Sequence, residues 1–244
     1  MIKTLRTDLP LLAPAGGSVL VGGQSGLNTD ILHEMSSKLV PVVGIVMVLS
    51  FLVLLLFFRS LLLPLKAILM NTASVLATYG ILVFIFQYGH GQSLLHFKSS
   101  GFIDAFLPLF LFCILFGLSM DYEVFMLARI REEYFRTNDN NEAVGWGLEH
   151  TARIITSAAL IMVTVFGGFA FASLAPIKAM GFGLASAVFL DATIIRVIMV
   201  PATMRLMGDW NWWIPKWLDK IMPTIAIEED VDYAMPEVEP VTAS

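Results

Sequence analysis

Five stretches of the chain, 39–58, 64–86, 105–128, 152–174 and 179–207, consist almost wholly of apolar side chains. A helix needs about 20 such residues to cross the ~30 Å hydrocarbon layer of a bilayer, so each is long enough to span it. Backbone in lipid must satisfy its own hydrogen bonds, which only helices and closed barrels do. Barrel strands alternate apolar and polar residues with a period of two, and these runs do not. The expected fold is an all-α membrane protein with five transmembrane helices. Composition agrees: charged residues make up 14% of the chain, against roughly 25% in soluble domains.

An odd number of spans puts the two ends on opposite sides. Arg59, Lys66, Arg129, Arg131, Arg136, Arg153, Arg205, Lys216 and Lys220 fall on one side, and Lys3, Arg6, Lys38, Lys98 and Lys178 on the other. The richer side is read as cytoplasmic, which places the N-terminus outside and the acidic tail inside. Residues 1–37 are mixed and glycine-rich, with Ser18-Val-Leu-Val-Gly-Gly23 patterned as a strand ending in a turn. They are assigned to a short extracytoplasmic segment, and 38–207 to the membrane domain, with 59–66 and 129–151 as charged turns. Residues 208–226 carry Trp210, Trp212, Trp213 and Trp217 with Lys216 and Lys220, the composition of a cytoplasmic interfacial belt. Residues 227–244 are acidic and poor in apolar side chains, so disorder is expected. From the polar residues ahead of the first span, with no apolar leader, the chain is expected to be the C-terminal part of something longer or half of a two-chain assembly.

The residues that stand out chemically are few. Phe106 to Met120 carries no charge, and then Asp121, Tyr122 and Glu123 follow before the span reaches Arg129. An ionisable group at a span centre costs at least ~2.5–3.5 kcal/mol on insertion scales, so it points to an ion or proton path. Cys113, Gly117 and Asp121 recur every four residues, as do Gly183, Ala187 and Asp191. Stripes of small residues let helices approach closely, so both carboxylates are expected in helix–helix seams. There they act as proton carriers or as fixed packing groups. Tyr122 reads as a hydrogen-bond relay or an interhelical aromatic. Glu123 reads as a second relay or supporting group or as a residue near the cytoplasmic rim, the rim being preferred. Arg196, five residues after Asp191, falls on another side of an α-helix, so any Asp191 partner is expected from another span. Ser157 and Thr164 share a face of the fourth span, and Asn71 shares one of the second with Ser74 and Thr78; these are candidate hydrogen-bonding supports. His33, His90 and His96 lack metal-ligand spacing, and no phosphate-binding glycine loop is present. Neither a metal nor a cofactor is expected, nor a nucleic-acid partner.

Gly117-Leu-Ser-Met-Asp121-Tyr122-Glu-Val-Phe-Met-Leu-Ala-Arg129-Ile-Arg-Glu resembles the aspartate–tyrosine span of the MMPL family, within the resistance–nodulation–division (RND) transporter superfamily. Val21-Gly-Gly-Gln-Ser-Gly-Leu-Asn-Thr-Asp30 is similar to the end of that family's extracytoplasmic porter domain. Phe57-Phe-Arg59-Ser-Leu-Leu-Leu-Pro-Leu-Lys66 with Asn71 resembles its basic inter-span turn. Phe189-Leu-Asp191-Ala-Thr-Ile-Ile-Arg196, Val200-Pro-Ala-Thr-Met and Asn211-Trp-Trp-Ile-Pro resemble its last span and exit. The resemblance implies an RND-type half bundle with a porter-domain remnant, in the bacterial inner membrane. It also implies proton-driven export of lipids or other hydrophobic compounds, through paired aspartate–tyrosine motifs of two repeated halves. Asp121 and Tyr122 would be this half's share of the relay, and no enzymatic activity is implied. The implied partners are the bilayer, a hydrophobic or lipid cargo and the other half, in the same or a separate chain; a homo-oligomer is compatible. By itself such a half is not expected to transport, which leaves a non-transporting partner or truncated remnant as the alternative. An intramembrane aspartyl protease is the other alternative, but here the order is Asp-Tyr, and Phe-Leu precedes Asp191.

Overall fold

The computed structural model describes residues 22–222 except 96, 98, 100, 102 and 105, together with Thr4, Asp8 and Gly17. Residues 18–21 of the expected strand, most of the segment ahead of them and the acidic tail lie outside the described residues. Among the described residues there is no strand, and five helices are long and apolar enough to cross a membrane. The all-α membrane fold is therefore as the sequence led us to expect.

Helix α1, Gln24–Phe58, is 35 residues long. At 1.5 Å per residue it reaches about 50 Å, some 20 Å beyond the hydrocarbon layer. Residues 24–37 are its continuous N-terminal extension, and the stretch from Asp30 to Lys38, patterned in the sequence as the polar foot of a helix, lies within it. It ends at Arg59, whose left-handed backbone (φ 48°) returns its N–H to Leu55 O at 2.9 Å. Helix α2, Leu62–Leu82, follows after a short turn and closes in a π turn, Val83–Gln87. A one-turn helix, α3 (Gln92–Leu95), leads toward α4, Phe106–Thr137.

The charged stretch 129–151 is not a loop. Helix α4 runs through it to Thr137, and α5, Asn140–Phe169, begins after only Asn138 and Asp139. Asn138 takes the left-handed conformation (φ 54°), and the Asp139 carboxylate caps α5 by accepting from the N–H groups of Asn141 (2.8 Å) and Glu142 (3.1 Å). Charges that looked like loop composition are helix-surface pairs, Arg129 with Glu132 at 2.8 Å and Arg136 with Glu133 at 2.5 Å. The last span is composite: α6 (Ala175–Leu190), a nine-residue π segment (Asp191–Met199) and α7 (Val200–Met207). Pro201, which has no N–H to donate, sits just past the π segment.

Helix α4 is the hub, touching α1, α2, α5 and α6. Its buried residues divide into two apolar clusters. One holds Leu107, Leu111, Phe112, Leu115 and Phe116 with Leu82 and Val188. The other holds Met126, Leu127 and Ile130 with Leu54, Phe58 and Met204. The polar layer lies between them, at Ser119 and Glu123.

The segment after α7 folds back under the bundle. Ser60 Oγ donates to Asn211 O at 2.5 Å, Asn140 Nδ2 to Met204 O at 2.9 Å, and Arg59 pairs with Asp219 at 2.7 Å. Trp210, Trp213 and Trp217 are exposed, as an interfacial belt requires. Trp212 is not part of that belt: it stacks on Tyr134 at 4.7 Å and donates Nε1–H to Asn140 Oδ1 at 3.3 Å.

Close helix approach depends on Gly181, where a Cβ would sit 2.4 Å from Phe169 Cβ and 2.7 Å from Phe166 O, whereas at Gly117 it would meet nothing within 4 Å. Gly181→Ala should therefore destabilise the bundle by about 1–3 kcal/mol, and Gly117→Ala should be neutral in this chain. Thermal unfolding of the two variants in one detergent checks the contrast.

Candidate functional site

The polar layer is built from α2, α4 and the π segment. On a regular α-helix, residues five apart point about 140° away from each other. In the π segment the hydrogen-bonded turn closes on the fifth residue, so Asp191 and Arg196 share a face. Arg196 Nε and Nη2 donate to Asp191 Oδ2 at 2.9 and 2.8 Å. The expectation that Asp191 finds its partner on another span holds for Ser119 of α4 but not for the ion pair, which is intrahelical because of the local change of helical pitch. Arg196 is 3% exposed, so the pair has little access to water. Its Nη2 also donates to the Ser119 carbonyl and, at 3.1 Å, to Ser119 Oγ.

Ser119 joins this pair to α2. Its Oγ lies 2.6 Å from Asn71 Oδ1 and 3.0 Å from Asp191 Oδ1. Asn71 is 1% exposed, and its amide is one of the groups this layer brings together. A cavity of ≈ 20 Å³, room for about one water molecule, opens among Asn71, Ser119, Tyr122, Asp191 and Arg196.

Glu123 is not at a rim. It is 4% exposed and turned into the bundle, four residues after Ser119 and so on the same side of α4. Its electrostatic neighbours are Arg196, Asp191 and Lys66, and the Asn71 amide lies beside it. Lys66, read from sequence as part of a basic turn, is also buried and donates to Val200 O at 2.9 Å, at the joint of the π segment and α7.

Asp121 sits differently. It is exposed, as are Cys113 and Gly117 on the same stripe, so the seam expected there is not formed among the described residues. The second stripe is in a seam: Gly183, Ala187 and Asp191 are buried, and a Cβ at Gly183 would lie 3.0 Å from Leu82. Tyr122 connects the two sides of α4. Its ring lies under the Arg196 guanidinium at 5.2 Å, and its hydroxyl donates to Met162 Sδ at 3.4 Å. Ser157 and Thr164 do not reach the layer; they are exposed and donate to Ile154 O and Leu160 O of their own helix. Asp121 and Asp191 share no hydrogen bond among the described residues. A protease dyad needs two carboxyls close enough to share a proton, and Asp191 is held by Arg196 instead.

Sequence reasoning missed Ser119, Lys66 and the intrahelical Arg196 partner. Ser119 was legible, because Ser119 and Glu123 are four apart in the motif that also contains Asp121.

The sequence profile of the MMPL family matches residues 2–222. The chain is 41% identical to the mycolic acid-containing lipids exporter MmpL11 of Mycolicibacterium smegmatis over 238 residues, covering 98% of this chain and 24% of the relative. It is 42% identical to the heme uptake protein MmpL11 of Mycobacterium tuberculosis H37Rv, with the same coverage of 98% and 24%. It is 39% identical to the trehalose monomycolate exporter MmpL3 of M. smegmatis over 220 residues, 90% of this chain and 22% of that protein. The chain thus spans about a quarter of the length of these relatives. With a family match over nearly its whole length and five spans around a buried polar layer, this chain belongs to the MMPL family of membrane transporters.

Proposed function

We propose that this bundle is one half of a proton-driven exporter of lipids or other hydrophobic compounds, in which Asp121 and Tyr122 carry the proton-coupled step. The observation that supports this most is the position of Asp121. An ionisable side chain stands on an exposed helix face beside Gly117 and Cys113, a placement that lipid disfavours by several kcal/mol. A second bundle packed against this stripe relieves that cost and places its own groups against Asp121. The exporter names of two relatives support the cargo class.

Tyr122 gives Asp121 a way to act on the interior. A change of charge at Asp121 is felt by Arg196 through the intervening ring, and Arg196 anchors both Asp191 and Ser119. One charge moved through the membrane potential supplies about 2.3 kcal/mol per 100 mV. That is enough to shift such a layer between two arrangements. The basic residues around 59 and 129–136 and beyond 205 favour a cytoplasmic location for those turns, which orients the foot of α1 outward.

Two substitutions separate the roles. In the complete transporter reconstituted in vesicles, Asp121→Asn should reduce export driven by a pH gradient to background while leaving the thermal midpoint unchanged. Normal export by a well-folded variant would refute the assignment. Asp191→Ala should instead destabilise the bundle by about 3–5 kcal/mol, because Arg196 is left buried and unpaired. Denaturation of the purified variant measures that loss.

A further inference from the structure

The guanidinium of an arginine carries N–H hydrogens on all three nitrogens and accepts nothing. In Arg196, Nε and Nη2 donate to Asp191 Oδ2, to the Ser119 carbonyl and to Ser119 Oγ. Nη1 is buried and has no partner among the described residues. Asn71 on α2 is in the same position. One heteroatom of its amide meets Ser119 Oγ at 2.6 Å, and the other is buried without a partner among the described residues. Turning the amide over exchanges its oxygen and nitrogen, but one of the two is left unpartnered in either orientation. A polar group buried in that way is costly, and nearly all such groups find a partner, often an ordered water. Arg196 and Asn71 line the same cavity of ≈ 20 Å³, together with Ser119, Tyr122 and Asp191. Two orphaned polar groups therefore border one space, and that space has the size of a water molecule.

We propose that this cavity is a binding site for one water molecule, which joins Arg196 Nη1 to the free end of the Asn71 amide. The water accepts a hydrogen bond from Nη1. Toward Asn71 it accepts from the NH₂ or donates to the carbonyl, whichever stands there. That versatility separates water from a halide ion, which only accepts. Charge separates them too. Arg196 is already paired with Asp191, so a halide would add an uncompensated charge to a layer enclosed between two apolar clusters. The lining also offers acceptors for the remaining water hydrogen, the Asp191 carboxylate and the Tyr122 oxygen, whose own hydrogen goes to Met162 Sδ. Water so placed has about three partners, the usual number for a buried one. It closes a ring: the guanidinium and the amide meet through Ser119 on one side and through the water on the other. The π segment is thereby tied to α2 as well as to α4, and all three guanidinium nitrogens are held. The site is a property of this chain and does not depend on the transport reading.

Crystals of the chain grown from a lipid mesophase with bromide as the only halide, at a resolution that shows ordered water, test the site directly. A single rounded density peak should lie about 2.7–3.2 Å from both Arg196 Nη1 and the Asn71 amide, with no anomalous signal at the bromine edge. A peak that carries the signal is a halide and overturns the proposal. A cavity without density, or one filled by a lipid or detergent tail, overturns it as well. Asn71→Leu keeps the shape of the side chain but offers no polar atom, and should lose the peak. A peak that persists against Arg196 alone overturns the bridge. Water-edited solid-state NMR of the native chain in lipid bilayers keeps the test open should that variant fail to fold. Magnetisation from water should reach Arg196 Nη1 ahead of Nη2, which is turned to Asp191 and Ser119. Transfer to Nη1 that is no faster than to Nη2 overturns the proposal.

Discussion

The buried Asp191–Arg196 pair and the π pitch that permits it depend on each other. The pair would not form on an α-helix, where the two side chains diverge by about 140°. Conversely, π turns are rare and concentrate at functional sites; here the segment is held by contacts from outside itself. Arg196 bonds the Ser119 carbonyl on α4, and Lys66 on α2 bonds Val200 O where the π segment ends. Two buried basic side chains thus clamp an unusual stretch of backbone to two neighbouring helices. The apolar clusters above and below close the layer off from water, which strengthens every charge interaction within it.

The hub helix α4 presents two different chemistries from a single short motif. Ser119 and Glu123 face inward, whereas Asp121, midway between them, faces out, as a 100° step per residue requires. The sequence reading placed Asp121 in a seam because small residues recur above it. In the chain itself that stripe is uncovered, and the corresponding stripe leading to Asp191 is the one packed against Leu82 and Leu111. Pattern alone does not say which of two similar stripes has its partner in the same chain.

What was legible in the sequence followed from periodicity and transfer energetics. The five spans and the candidate polar positions come from properties that each residue carries on its own or repeats along a helix. What was not legible came from three-dimensional context. Glu123 and Lys66 looked like rim and turn residues because charge next to a span usually means its exit into water. In the fold, α4 continues as a helix for nearly four turns past Glu123, so the motif sits deeper than its flanking arginines suggest. Arg196 was assigned to the wrong side because α-helical pitch was assumed, and Pro201 was the only local warning. The charged stretch between α4 and α5 was taken for a loop, although its ion pairs at three-residue spacing and the Asp139 cap are helix signals.

On the proposed reading, the geometry also constrains how a proton could do mechanical work. Asp121 and the buried pair are not in direct contact, so coupling has to pass through something that both sides touch. Tyr122 is adjacent to Asp121 in the chain, and its ring faces Arg196. A cation over an aromatic face is held by about 0.5–2 kcal/mol, far less than the bidentate pairing on its other side. A change at Asp121 therefore perturbs Arg196 at its weaker contact and leaves the Asp191 pairing as the pivot. The nearest backbone able to respond is the π segment, which leads directly into α7 and the returning segment docked on Ser60 and Arg59. Motion that begins at the polar layer would in this way reach the end of the bundle where Ser60 and Arg59 lie, along one continuous span.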